Sequence, residues 1–267
     1  MYKPLRKSYK GFFPFKVGTT SYIYPDNIIP NVRMLAPYLD EVELVIFESR
    51  KESNLPSKAD IEQLVHIGGK ESLGYNVHLP IDISLGHHDA SIRDHGVTVA
   101  SKIISITRPL DPSTYTLHLS LDGCCGERQA DVEQWKGRLR ESLEGILPAS
   151  VSAEKISIET LDYPFVFVED IVKSFGLSIC LDVGHLLLYR HSVTDYFKRY
   201  LSRMSIIHLH GLKDGRDHLS LALLSEEKFG EILGLMEGFS GTVSVEVFSF
   251  HDLAESLGVL EKWHIPH

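Results

Sequence analysis

Short runs rich in β-branched and aromatic residues recur along the chain at 17–21, 42–47, 75–79, 115–119, 156–160, 178–182, 205–209 and 243–247. Runs of that length and composition predict strands. Between them, residues 59–67, 132–146, 165–175, 193–200 and 226–236 carry apolar positions three and four apart with charges between, which predicts amphipathic helices. Eight strands alternating with helices imply a parallel sheet. The strands read as near-continuous apolar runs, so both sheet faces should be covered, as in a closed barrel or a doubly wound sheet.

Two observations favour the barrel. Residues 18–22, closing the first run, read GTTSY, with neither of the glycine-rich phosphate-binding patterns that a nucleotide-binding sheet would place at that turn. The length of 267 residues suits one (β/α)8 TIM barrel. With no linker or low-complexity tract, the reading is one domain over residues 1–267, with residues 1–14 as a solvated basic lead-in.

Composition narrows function by exclusion. Asp and Glu number 36 against 27 Lys and Arg, for a net charge of −9, which argues against a surface built to neutralise nucleic-acid phosphates. No apolar run reaches the length of a membrane span. Three cysteines, two of them adjacent at Cys124 and Cys125, do not make a disulfide framework. A cytoplasmic protein acting on a small molecule is the expectation, with oligomeric state open.

The anomaly is 14 histidines, and several end predicted strands. Catalytic groups of such barrels gather at the C-terminal strand ends. There the third and fourth strands carry His78 and His118, the fifth Glu159, the sixth Asp182 and His185, the seventh His208 and His210, and the eighth Glu246. His218 and Asp217 follow shortly after the seventh strand. Carboxylates inside apolar strands need a compensating cation, and mixed imidazole and carboxylate donors suit Zn²⁺, Mn²⁺, Fe²⁺ or Co²⁺. The expected ligands are therefore His78, His118, Glu159, Asp182, His185, His208, His218 and Glu246. His210 and Asp217 can instead orient a ligand. The cluster of His87, His88, Asp89 and His95 reads as a solvated or substrate-facing loop. Tyr22 and Tyr24 stand as substrate-contact candidates.

This strand-end pattern resembles the xylose-isomerase-like and endonuclease-IV-like TIM barrel superfamily over essentially the whole chain. The resemblance implies one metal held by Glu159, Asp182, His208 and Glu246, as in sugar isomerases and epimerases. His78, His118, His185 and His218 match the additional ligands of the nuclease branch, implying two or more metals. Arg216 stands where that branch has an Asp, and Asp217 is the candidate substitute. Residues 18–25 (GTTSYIYP), 31–37 (NVRMLAP), 42–47 (VELVIF), 53–56 (SNLP), 107–112 (TRPLDP), 215–220 (GRDHLS) and 246–249 (EVFS) look like the cobamide-remodelling phosphodiesterase family. That resemblance implies hydrolysis in the nucleotide loop of a cobamide. Glu159, Glu246 and Asp217 are then catalytic candidates, and Lys213 and Arg216 candidate phosphate contacts. Sugar or sugar-phosphate isomerisation and abasic-site cleavage remain the alternatives.

Overall fold

The computed structural model describes residues 2–47, 54–121, 129–147 and 152–264. Strands β1 (Lys16–Thr20), β2 (Glu41–Val45), β3 (Gly74–His78), β4 (Tyr115–Leu117), β5 (Ile156–Glu159), β6 (Ser178–Asp182), β7 (Met204–Leu209) and β10 (Thr242–Val245) all run parallel. They close in the order β1-β10-β7-β6-β5-β4-β3-β2, making a (β/α)8 barrel. A hairpin, β8 (Gly211–Lys213) and β9 (Arg216–Leu219), is inserted after β7. Asp214 and Gly215 at its turn both have positive φ, as a tight Asp-Gly hairpin turn requires.

The strands alternate more strictly than apolar runs. Along Val42-Glu43-Leu44, Asn76-Val77-His78, Ser157-Ile158-Glu159 and Ser244-Val245-Glu246, buried polar residues interleave with buried apolar ones. Side chains on a strand alternate in direction, so one row faces the barrel axis and the other the helices. The axial row is the polar one, since its members meet across the interior. Ser244 donates to Glu43 over the intervening strand β1, where the paired position is Gly18. Asn76 donates to Glu41 at 2.8 Å, and the Ser157 hydroxyl meets that of Thr114. The apolar core therefore lies between barrel and helices, around Trp135, Phe165, Phe197 and Phe229.

Helices α2 (Lys58–Glu71), α4 (Gln129–Ile146), α5 (Glu169–Phe175), α7 (Val193–Tyr200) and α8 (Glu226–Leu235) fall where periodicity predicts them, except that residues 165–167 form a separate 3₁₀ turn before α5. Four more were not predicted: α1 (Ile28–Leu35), α3 (Ala90–Thr107), the short α6 (Val183–Leu188) and α9 (Phe250–His264). The basic lead-in is also more than a solvated tail. Its Lys3 and Arg6 are exposed, but Leu5, Tyr9 and Phe13 are buried, and Tyr9 and Lys7 both engage Glu261 of α9. Among the described residues no helix is long and apolar enough to cross a membrane. Cys180 is buried and free, while Cys124, Cys125 and Ser53 lie outside the described residues.

Candidate metal centre

At the C-terminal mouth the axial row becomes mostly ionisable. Glu159 is the hub, 1% exposed. Its Oε2 lies 3.2 Å from His78 Nε2 and 2.9 Å from His118 Nε2. Its Oε1 lies 3.3 Å from His185 Nδ1 and 3.8 Å from His208 Nδ1. One carboxylate thus joins two donor groups, His78 with His118 on one side and Asp182, His208 and Glu246 on the other. His208 Nδ1 also lies 3.1 Å from Glu246 and 3.9 Å from Asp182. A third group, His185, His210 and His218, sits beside them.

Backbone contacts set the ring orientations. His78, His185 and His218 each turn Nδ1 to a carbonyl oxygen, of Leu79 at 2.8 Å, Thr160 at 3.1 Å and Glu246 at 3.2 Å. A carbonyl only accepts, so these contacts place a proton on Nδ1 and make Nε2 the nitrogen that would have to give up its proton to take a cation. Asp182 caps α6, accepting the amide of His185 at 2.6 Å. His210, fully buried, accepts the amide of His218 at Nδ1 and so directs Nε2–H to Asp182, 3.1 Å away. Gly184 makes room for that ring, because a Cβ there would lie 2.0 Å from its Cε1.

The electrostatics are those of carboxylates that burial would neutralise and imidazoles prevent from being so. Burial raises Glu159, but His118 and His208 hold it well below the carboxylate range. Glu246 and Asp182 are likewise lowered against burial, chiefly by His208 and His210 respectively. Conversely burial would lower His78, yet Glu159 brings it up to about 9. His185 rises to about 10 against burial because of Asp182 and Glu159. Burial keeps the Cys180 thiol protonated, which leaves imidazole and carboxylate as the donor set.

A divalent cation fits this arrangement. Glu246 Oε2, Glu43 Oε1 and both ring nitrogens of His208 are buried without a hydrogen-bond partner, a costly condition that a bound cation relieves. His78, His118, Glu159, His185, His218 and Glu246 line a mouth cavity of about 270 Å³, whose rim is apolar: Phe47, Ile81 and Phe248 are 43%, 58% and 44% exposed.

Other sequence candidates stand outside this lining. Tyr24 is packed near Tyr2 and Phe250, its hydroxyl given to the Lys3 carbonyl. Tyr22 reaches the mouth only through its ring contact with Phe47. Lys213 and Arg216 are exposed, and Asp217 half-buried, on the β8–β9 hairpin. Of the His87 group, His88 and Asp89 are exposed in the loop between β3 and α3, where Asp89 caps the helix, His95 lies exposed on α3 itself, and none of the four lines the cavity. The buried group that sequence reasoning missed is Glu43, 3.4 Å from His208 Nε2. Its signal was the alternation of β2.

The fold and site together define a (β/α)8 barrel with a cation-competent cluster at its C-terminal mouth. The sequence pattern of the xylose isomerase-like TIM barrel family matches residues 39–263, and the chain belongs to that family. No curated protein matches the chain. A D-tagatose 3-epimerase-like protein superposes with a TM-score of 0.76 at 20% identity, over 93% of this chain and 97% of that one. A 3-keto-D-glucoside 4-epimerase from E. coli gives 0.70 at 12%, over 94% and 98%. Endonuclease IV from Thermus thermophilus gives 0.67 at 15%, over 92% and 99%. At such identities the likeness is one of fold.

Proposed function

We propose that the chain is a divalent-cation-dependent hydrolase of the phosphodiester class, with a cobamide as its substrate. The observation that carries the hydrolase reading is the double engagement of Glu159, which makes His78 and His118 part of the same centre as Asp182, His208 and Glu246. An enzyme needing one cation would leave the first pair to other work, such as contacts to substrate hydroxyls. Cations held on both sides would acidify a water and neutralise charge on an attacked phosphoryl group. Among the described residues no Lys or Arg lines the cavity, so that neutralisation falls to the centre itself. The apolar rim of Phe47, Ile81 and Phe248 favours a substrate with apolar bulk over a bare sugar or a DNA backbone. The choice of a cobamide rests on the sequence resemblance.

A second reading has its own support. Glu159, Asp182, His208 and Glu246 form a complete four-donor group, which is what a sugar epimerase or isomerase requires, and the superposed structures include a 3-keto-D-glucoside 4-epimerase and a D-tagatose 3-epimerase-like protein. Abasic-site cleavage, drawn from the likeness to endonuclease IV, finds no Lys or Arg among the described residues that line the cavity to hold a DNA backbone.

Elemental analysis of the purified protein, followed by incubation with a cobamide and mass analysis of the corrinoid products, separates these. Two or more metals per chain with release of the lower-ligand portion is the expected result. His118→Ala should then cost on the order of 100-fold in turnover. One metal per chain, an intact cobamide and solvent deuterium entering a ketose would transfer the assignment to the epimerase.

A further inference from the structure

Glu43 is a fully buried carboxylate to which neither the candidate site residues nor the proposed reaction gives a role. It lies deeper in the barrel than the mouth residues, two positions before Val45, which itself lines the cavity. Its Oε2 accepts from Ser244, while its Oε1 has no hydrogen-bond partner and stands 3.4 Å from His208 Nε2. The same imidazole turns its other nitrogen, Nδ1, toward Glu246, Glu159 and Asp182. His208 thus has one nitrogen toward the cation-competent carboxylates and the other toward Glu43.

We infer that Glu43 is a positioning residue that holds His208 as a cation ligand, in a relay running from Ser244 through Glu43 and His208 to the centre. A cation taken on Nδ1 obliges the ring proton to sit on Nε2. There it faces Glu43 Oε1, so one event satisfies three orphaned atoms, both His208 nitrogens and Glu43 Oε1, and the acceptor fixes ring orientation and raises ligand basicity. Glu43 can be grouped with His78, His208 and Glu246 as a direct ligand. Against that, among the described residues His208 is its imidazole partner within 4.0 Å, through the nitrogen turned away from the other three carboxylates.

The inference rests on reading His208 as a ligand, and the test separates the two. Zinc affinity and stoichiometry of the full chain are measured by competition with a chromophoric chelator for wild type, Glu43→Ala, Glu43→Gln, Ser244→Ala and His208→Ala. Glu43→Ala should weaken zinc binding about 10- to 100-fold at unchanged stoichiometry, with Glu43→Gln and Ser244→Ala falling less. In the zinc-loaded protein, NMR should show an exchange-protected His208 Nε2–H resonance that disappears in Glu43→Ala, a signature a merely structural carboxylate would not supply. If Glu43→Ala does not fold, the same resonance shifted in Glu43→Gln and Ser244→Ala carries the result. Unchanged affinity and an unchanged resonance would overturn the role of Glu43, and loss of one zinc per chain would make it a ligand instead. Wild-type binding by His208→Ala would overturn the ligand reading itself.

Discussion

At the scale of single residues the candidate ligands depend on neighbours that hold them in place. His210 is one, with Nδ1 fixed by an amide and Nε2–H directed at Asp182. Replacing it by Ala frees Asp182 to rotate, and metal affinity should fall about 10- to 100-fold. Gly184→Ala is the sharper test, since it alters no polar group yet its Cβ would lie 2.0 Å from the His210 ring. It should weaken binding in the same direction in a chelator competition. Wild-type affinity in both variants would show that Asp182 needs no such support. The ligand-type residues were legible because strand-end position and residue type coincide: Glu159, Asp182, His208 and Glu246 were all placed at the mouth. Glu43 was not legible in the same way, being mid-strand in a run read as apolar. Only alternation of Glu41, Glu43 and Val45 with Val42 and Leu44 marks it as axial.

Between elements, the helical ring is fastened by charge at one point that can be tested. Glu169 opens α5, where a carboxylate favours the helix dipole, and accepts from Lys173 one turn on and from Arg199 of α7. Burial would raise its pKa, but these cations hold it below the ordinary 4.5. A lowered folded value stabilises above the unfolded one, and the benefit disappears as pH falls through the folded value. Glu169→Gln should therefore cost about 1 kcal/mol at neutral pH, since both cations are half-exposed, and nothing in strong acid. Urea midpoints of the two proteins that stay equally far apart at every pH would refute the ion pair as the cause. Helices with strong amphipathic periods were legible here. The α3 stripe of Gly96, Val99, Ala100, Ile103, Ile104 and Thr107 was harder to read, because small and polar residues occupy part of its buried face. In α9 the run Leu253, Ser256 and Leu257 is likewise interrupted by a buried hydroxyl that serves the amide of Leu221.

For the whole molecule, a polar barrel interior makes stability and function share one set of atoms. The buried carboxylates Glu159, Asp182 and Glu246 are held ionised by imidazoles whose pKa values are raised in turn. The protons stand in for a cation. His78 and His185, raised from 6.5 to about 9 and about 10, stabilise the metal-free fold fully below pH 6.5. That contribution declines as pH rises and is lost above those two values. A bound cation compensates the carboxylates without those protons, because its ligands must be deprotonated. Chelation should therefore lower Tm modestly at neutral pH, leaving a folded barrel whose core lies between strands and helices. At 100 times Kd, the cation adds about 2.7 kcal/mol, or roughly 5 to 10 °C for a chain of this size. Above pH 9 the gap between metal-loaded and metal-free protein should widen, as the second loses its protons and the first does not. Calorimetry of both forms from pH 6 to 10 decides it, and parallel curves would mean that the interior carboxylates are neutralised by something other than these histidines.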